Sequence, residues 1–284
     1  MSRPMILVID GNRATTREQQ VAAGGQPSGE GYAQVLQGLA DVGCDIVRPA
    51  DGEVQFTSGI RLEDYDGVAI TGSALNVYDG GPHIERQIEL ARAVFAAGVP
   101  FFGSCWGLQV AVSAAGGRVR RNPLGREFGF ARRVELGEAG RRHPMFFGKP
   151  TVFEAIAVHS DDIERLPESA VVLAKNEMGL QALELRHGRG VFWGVQYHPE
   201  YTFAEIAATT LRYASVLLEE KLFASRDELE TFVKELRALM GDPHDRRLTW
   251  KHGLGPALQD ESLRLAELRN WLEHQVLPYS RQRA

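Results

Sequence analysis

A cysteine stands between two glycines in Gly103-Ser104-Cys105-Trp106-Gly107-Leu108-Gln109, directly after the apolar run 99–102. A strand that ends in small residues and turns at once into a helix has the layout of a nucleophile elbow. The tight turn strains the backbone and lifts the reactive side chain above the sheet edge. A helix N-terminus favours negative charge, so this position predicts a thiol displaced toward the thiolate. The chemistry it points to is covalent acyl transfer through a thioester.

Such a nucleophile needs a base, and the base needs an orienting group. Both types occur in Gly194-Val195-Gln196-Tyr197-His198-Pro199-Glu200, behind the apolar run 191–195. That strand would deliver His198 to the carboxyl edge of a parallel sheet, where ligands collect in open α/β folds. His198 would take the thiol proton and pass it to the departing amine. Glu200 can reach the far ring nitrogen and fix its tautomer, with Pro199 stiffening the turn between them. A lone cysteine or histidine reads as core packing. Two such motifs, each at a strand end and in the order Cys105, His198, Glu200, read as a triad. The histidines His83, His143, His187, His244, His252 and His274 lack ligand spacing, so neither a metal site nor a cofactor is expected. Cys44, inside an apolar run, reads as core.

The two motifs together resemble the class I glutamine amidotransferases, whose pattern is Gly-x-Cys-x-Gly-x-Gln followed far downstream by His-Pro-Glu. The segments 66–78 (DGVAITGSALNVY), 125–130 (GREFGF) and 159–167 (HSDDIERLP) are similar to segments of the glutaminase half of GMP synthetase, and the resemblance covers roughly residues 5–201. It implies that Cys105 attacks the side-chain amide of glutamine, and that His198 activates the water that frees glutamate. It also implies an oxyanion hole from the backbone amides of Gly72 and Trp106, and a substrate grip from Gln109 and the backbone around His159 and Ser160. The sequence departs from the family at Thr71-Gly72-Ser73, where a diglycine turn followed by proline is common. That keeps the donor at Gly72 but alters its surroundings. The Trp106 side chain either shapes the pocket or packs on the sheet. Asp161 and Asp162 either touch substrate or cap a helix beginning near Ile163.

Positioning these residues requires strands that alternate with helices. Apolar runs at 5–9, 44–47, 65–70 and 99–102 read as buried parallel strands. Helical spacing of Tyr32, Val35, Leu36 and Leu39 marks a helix over 32–42, and residues 84–97 form another, closed by Gly98. Further strands are read at 132–136, 152–158, 171–174, 180–185 and 191–195. The fold class is α/β, an open, mostly parallel, flavodoxin-like sheet with helices on both faces. Residues 13–31, polar and glycine-containing, read as a βα loop of unusual length, near the active site or on the surface.

We expect a catalytic domain over residues 1–202 and a helical extension over 203–284, with helices at 203–222, 226–240 and 261–276. In the extension Trp250, Leu254, Leu258, Leu265, Leu268, Trp271 and Leu272 would bury apolar surface against this chain's own sheet or against a partner, such as a second copy in a homodimer. The chain has 284 residues, 44% of them hydrophobic, and a net charge of −5. Its arginine pairs are not tracts, which argues against nucleic acid as partner. No apolar stretch spans a membrane and no signal segment stands out, so a cytoplasmic location is expected. No phosphate-loop motif occurs. The first expectation is therefore a glutaminase that delivers ammonia to a separate synthetase. The alternatives are a stand-alone hydrolase of γ-glutamyl amides or peptides, and a catalytically silent binding module.

Overall fold

A computed structural model describes residues 3–54, 56 and 59–283; positions 1, 2, 55, 57, 58 and 284 lie outside the described residues. The first half is an alternating β/α chain. Helices α1 (Ala14–Ala22) and α2 (Ser28–Leu39) join strand β1 (Met5–Ile9) to β2 (Gly43–Val47), a short 3-10 turn (Leu62–Asp64) precedes β3 (Gly67–Ile70), α3 (Pro82–Ala97) leads to β4 (Phe101–Ser104), and α4 (Trp106–Ala114) follows β4. Then come β5 (Arg118–Arg121), β6 (Glu127–Leu136), a short α5 (Glu138–Arg142), β7 (Val152–His159), β8 (Asp161–Arg165), β9 (Ala170–Asn176), β10 (Gly179–His187) and β11 (Gly190–Val195).

Nine strands form one sheet in the order β2-β1-β3-β4-β11-β10-β9-β6-β7, while β5 and β8 form a separate antiparallel pair. The half containing β2, β1, β3, β4 and β11 is parallel, with Val195 opposite Ser104, so the two chemical motifs leave adjacent strands at the same edge. From β11 onward the pairing is antiparallel. The unbroken apolar character of β1 follows from burial on both faces. Ile6 and Val8 pack in a cluster with α2, whereas Leu7 and Ile9 pack in one with α3 and α4.

Segment 13–31 is not a loop. It folds as α1 and the first turn of α2. Helix α1 buries only Gln20, so no apolar stripe announces it. Side-chain hydrogen bonds hold it instead. Gln20 donates to Thr209 (3.2 Å) and Glu205 (3.1 Å), accepts from Arg212 (2.9 Å), and Arg17 pairs with Asp51 at 2.5 Å. The helix expected near Ile163 is also absent. Asp161 and Asp162 open strand β8, where Arg120 faces Asp162 (3.5 Å) and Arg118 meets Glu164 (2.7 Å), so cross-strand ion pairs replace the helix cap.

The C-terminal segment is helical: α6 (Phe203–Arg212), α7 (Ala214–Glu219), α8 (Arg226–Gly241), α9 (Arg246–His252), α10 (Pro256–Gln259), α11 (Glu261–Arg264), α12 (Ala266–Trp271), a π-helical turn over Leu272–Val276, and α13 (Leu277–Arg283). The helix expected over 203–222 breaks at Tyr213 into α6 and α7. Leu254 and Leu258 pack with Phe130 and Ile156 on the antiparallel half. Leu265, Leu268, Trp271 and Leu272 pack with Ile6, Ala69 and Phe102 on the parallel half. The Trp271 and Phe102 rings lie 5.7 Å apart. Trp250 departs from the expectation. It is 82% exposed on α9 and buries nothing.

Candidate active site

Cys105 joins β4 to α4 with φ 53° and ψ −101°, a backbone region that costs a side-chain-bearing residue about 1–3 kcal/mol. Its neighbours hold it there. The Cys105 N–H donates to the Val195 carbonyl (2.7 Å), and its own carbonyl accepts from Gln109 (3.2 Å). The flanking glycines are required by close approach. A Cβ on Gly103 would lie 2.7 Å from the Gly107 carbonyl carbon, and one on Gly107 would lie 2.5 Å from the Ile70 oxygen. The turn can form only because β4, α4 and β3 touch backbone to backbone.

Val195, the acceptor of the Cys105 N–H, ends β11, and the chain runs on into the histidine turn. His198 Nδ1 lies 2.8 Å from Glu200 Oε1, both side chains being almost completely buried. The other carboxylate oxygen of Glu200 accepts from the Ser104 hydroxyl (3.0 Å), and Ser104 in turn meets the Tyr32 hydroxyl (3.1 Å). Ser104, the residue before the cysteine, thus links the elbow to the carboxylate. Tyr201 stacks on the His198 ring at 4.1 Å and 22°. Gly72 approaches the ring nearest its Cε1, where any Cβ would clash. The Gly72 carbonyl accepts from Asn12 (3.1 Å) and Thr71 (2.9 Å), which pins this turn beside the histidine.

The structure also places the remaining sequence candidates. The Trp106 backbone N–H lies near enough to the Cys105 thiol to favour its ionised form. Its indole does not shape the site; it is fully buried in the core, donates to Gln87 (2.7 Å) and packs against Gly11. The Gln109 side chain reaches Gln196 (3.4 Å) rather than open space. The His159 ring is committed to Glu127 (2.8 Å) and to the Asp161 carbonyl (3.1 Å), and the Ser160 carbonyl accepts from Asn122 (2.8 Å). Asp161 is buried, accepts from Tyr78 (2.8 Å) and lies near enough to influence the thiol, whereas Asp162 faces Arg120.

Gln196 went unread in the sequence, although it stands two residues before His198. Its side chain is 1% exposed, its Oε1 accepts from Gln109 (3.4 Å), its Nε2 has no hydrogen-bond partner among the described residues, and the amide lies near enough to the Cys105 thiol to favour its ionised form.

The thiol is not displaced toward the thiolate as expected from the helix behind it. Burial pushes the Cys105 thiol well above the usual range, and the Asp161 and Glu200 carboxylates push it further. The Trp106 N–H and the Gln196 amide pull the other way and do not offset this. Cys105 is 4% exposed, so the cost of desolvating a thiolate there outweighs the attraction of the helix end. The arrangement therefore suits a thiol activated by a base at the moment of attack.

The glutamine amidotransferase class-I family model matches residues 32–214. This chain belongs to that family. It is 35% identical over 287 residues to a γ-glutamyl-L-1-hydroxyisopropylamide hydrolase of Pseudomonas sp, a match covering 100% of this chain and 97% of the relative. It is 28% identical to γ-glutamyl peptidase 3 of Arabidopsis thaliana, over 64% of this chain and 72% of the relative. A GMP synthase [glutamine-hydrolyzing] of Thermosipho melanesiensis is 32% identical over 58% of this chain, but the match spans only 32% of the synthase. Among solved structures, a glutamine amidotransferase from Thermotoga maritima shares the fold at a TM-score of 0.62 and 20% identity, covering 97% of this chain and 99% of that one. Among the described residues, no helix is long and apolar enough to cross a membrane.

Proposed function

We propose that this amidotransferase-family chain is a hydrolase of γ-glutamyl amides that acts without a synthetase. The observation that carries this reading over ammonia delivery is the end-to-end match to a γ-glutamyl amide hydrolase, set against a match to only a third of a GMP synthase. In this reading Cys105 Sγ attacks the γ-carbonyl while His198 takes the thiol proton. The oxyanion forms against the backbone amides of Trp106 and Gly72. Collapse breaks the C–N bond, His198 protonates the leaving amine, and a γ-glutamyl thioester is left on Cys105. Water, deprotonated by His198, then attacks the thioester and frees glutamate and the thiol.

The Cys105 sulfur lies 3.6 Å from the Val158 carbonyl. The buried Asp161 carboxylate, which accepts from Tyr78, offers an anionic partner for the α-ammonium of the γ-glutamyl group.

A release assay with the purified chain alone tests this, using glutamine, γ-glutamylethylamide and γ-glutamyl dipeptides at equal concentration. The expected result is faster release from the ethylamide than from glutamine, by about tenfold or more, an amount within reach of apolar contacts to the amine. Faster ammonia release from glutamine, stimulated by a second protein, would return the chain to the ammonia-delivering role. Binding without turnover would leave a module.

A further inference from the structure

Two residues of the C-terminal helices grip the histidine turn from outside the region that the family model matches, which ends at 214. Arg264, at the end of α11 and 10% exposed along its side chain, donates from one guanidinium nitrogen to the Pro199 carbonyl (2.7 Å) and the Tyr201 carbonyl (2.8 Å). Those two carbonyls bracket Glu200. The second terminal nitrogen meets Glu261 at 3.2 Å. Three residues further on, the fully buried Glu267 accepts from the Tyr197 hydroxyl (2.5 Å) and from Lys149 (2.9 Å). Residues 197, 199 and 201 are therefore each tied to α11 or α12, and the two residues between them are His198 and Glu200.

We infer that Arg264, supported by Glu267, is a positioning residue that holds the His198–Glu200 turn in its working geometry, so that the C-terminal helices form part of the catalytic apparatus. The inference rests on the functional reading above. The physics is that of a buried turn whose carbonyls need donors. Without the guanidinium, two acceptors on either side of Glu200 lose their partner, and the turn is free to seek others. Small displacements of a base cost heavily, since a shift of about 1 Å can lower rate about 100-fold. Lysine is only a partial substitute: its ammonium can serve two carbonyls, as one guanidinium nitrogen does here, but it has no second nitrogen to hold against Glu261 and fix its direction.

The test uses the full-length chain with Arg264→Ala, Arg264→Lys and Tyr197→Phe, measuring kcat and KM for γ-glutamylethylamide beside circular dichroism and thermal melts. Arg264→Ala is expected to lower kcat by about 10–100-fold with KM nearly unchanged. Arg264→Lys should recover only part of the loss, and added guanidinium should partly rescue the alanine variant at concentrations below those that unfold it. A kcat that stays at the wild-type value per folded molecule, or a loss that follows thermal stability alone and ignores guanidinium, would overturn the inference. If Arg264→Ala does not fold, the lysine and phenylalanine variants decide. Lowered kcat at unchanged KM supports the role, and wild-type kcat in both refutes it. A wild-type chain that releases no amine from any γ-glutamyl amide overturns the functional reading and this inference with it. An active wild type with unaffected variants overturns the inference alone.

Discussion

Cys105→Ala should reduce hydrolysis of any γ-glutamyl substrate by about 10⁴-fold or more while leaving the fold intact. The size of the loss follows from the proposed mechanism, which has no other atom to carry the acyl group. The small structural effect follows from the contacts. The Cys105 backbone is held by bonds to Val195 and Gln109 that alanine keeps, and the sulfur's contact at 3.6 Å is with a carbonyl. Initial rates with wild-type and variant protein, normalised by circular dichroism and melting temperature, check this. Residual activity within about tenfold of wild type would remove Cys105 from the chemistry.

His198→Asn should cost about 10²–10⁴-fold in kcat at neutral pH. The backbone role of this position survives the change, since the His198 N–H still donates to Ile156 (2.8 Å). The pH dependence should change more tellingly than the rate. The Cys105 thiol is held protonated by burial and nearby carboxylates, so without its base it reacts only through the small thiolate fraction present. A raised thiol pKa means that fraction grows as pH rises. The variant's kcat/KM should therefore climb about tenfold per pH unit from 7 to 9 without a plateau. Wild type, whose proton goes to His198, should show a flatter profile over the same range. Parallel profiles for the two proteins would mean that His198 is not the base.

The strand ends carrying Cys105 and His198 were readable because chemistry and backbone agree there. Gly103 and Gly107 are glycines for contact reasons, and both apolar runs lead to one sheet edge. The groups that support the site were less legible. Ser104 was visible only as a small residue beside the nucleophile, and its bond to Glu200 spans 96 positions. Arg264 and Glu267 sit in a segment whose apolar spacing announced helices but not the carbonyls they serve.

Where expectations failed, tertiary contacts outweighed a local signal. An Asp-Asp pair before an apolar residue is a capping signal, and of the two readings of Asp161 and Asp162 the helix cap falls because strand pairing with the arginines of β5 prevails. Segment 13–31 lacks an apolar face, so its helix depends on tertiary hydrogen bonds to α6 that no window of sequence contains. The thiol was misjudged because the helix end behind Cys105 is a local feature of sequence, whereas the burial that outweighs it is a property of the whole fold.

The central claim is a γ-glutamyl thioester on Cys105, and rapid-quench intact-mass spectrometry during turnover of γ-glutamylethylamide tests it most directly. Acid-quenched enzyme should carry the mass of one γ-glutamyl group, mapping to the peptide that contains Cys105 and disappearing as substrate is exhausted. Turnover with the adduct on another residue, or amine release from a Cys105→Ala chain at the wild-type rate, would contradict the account.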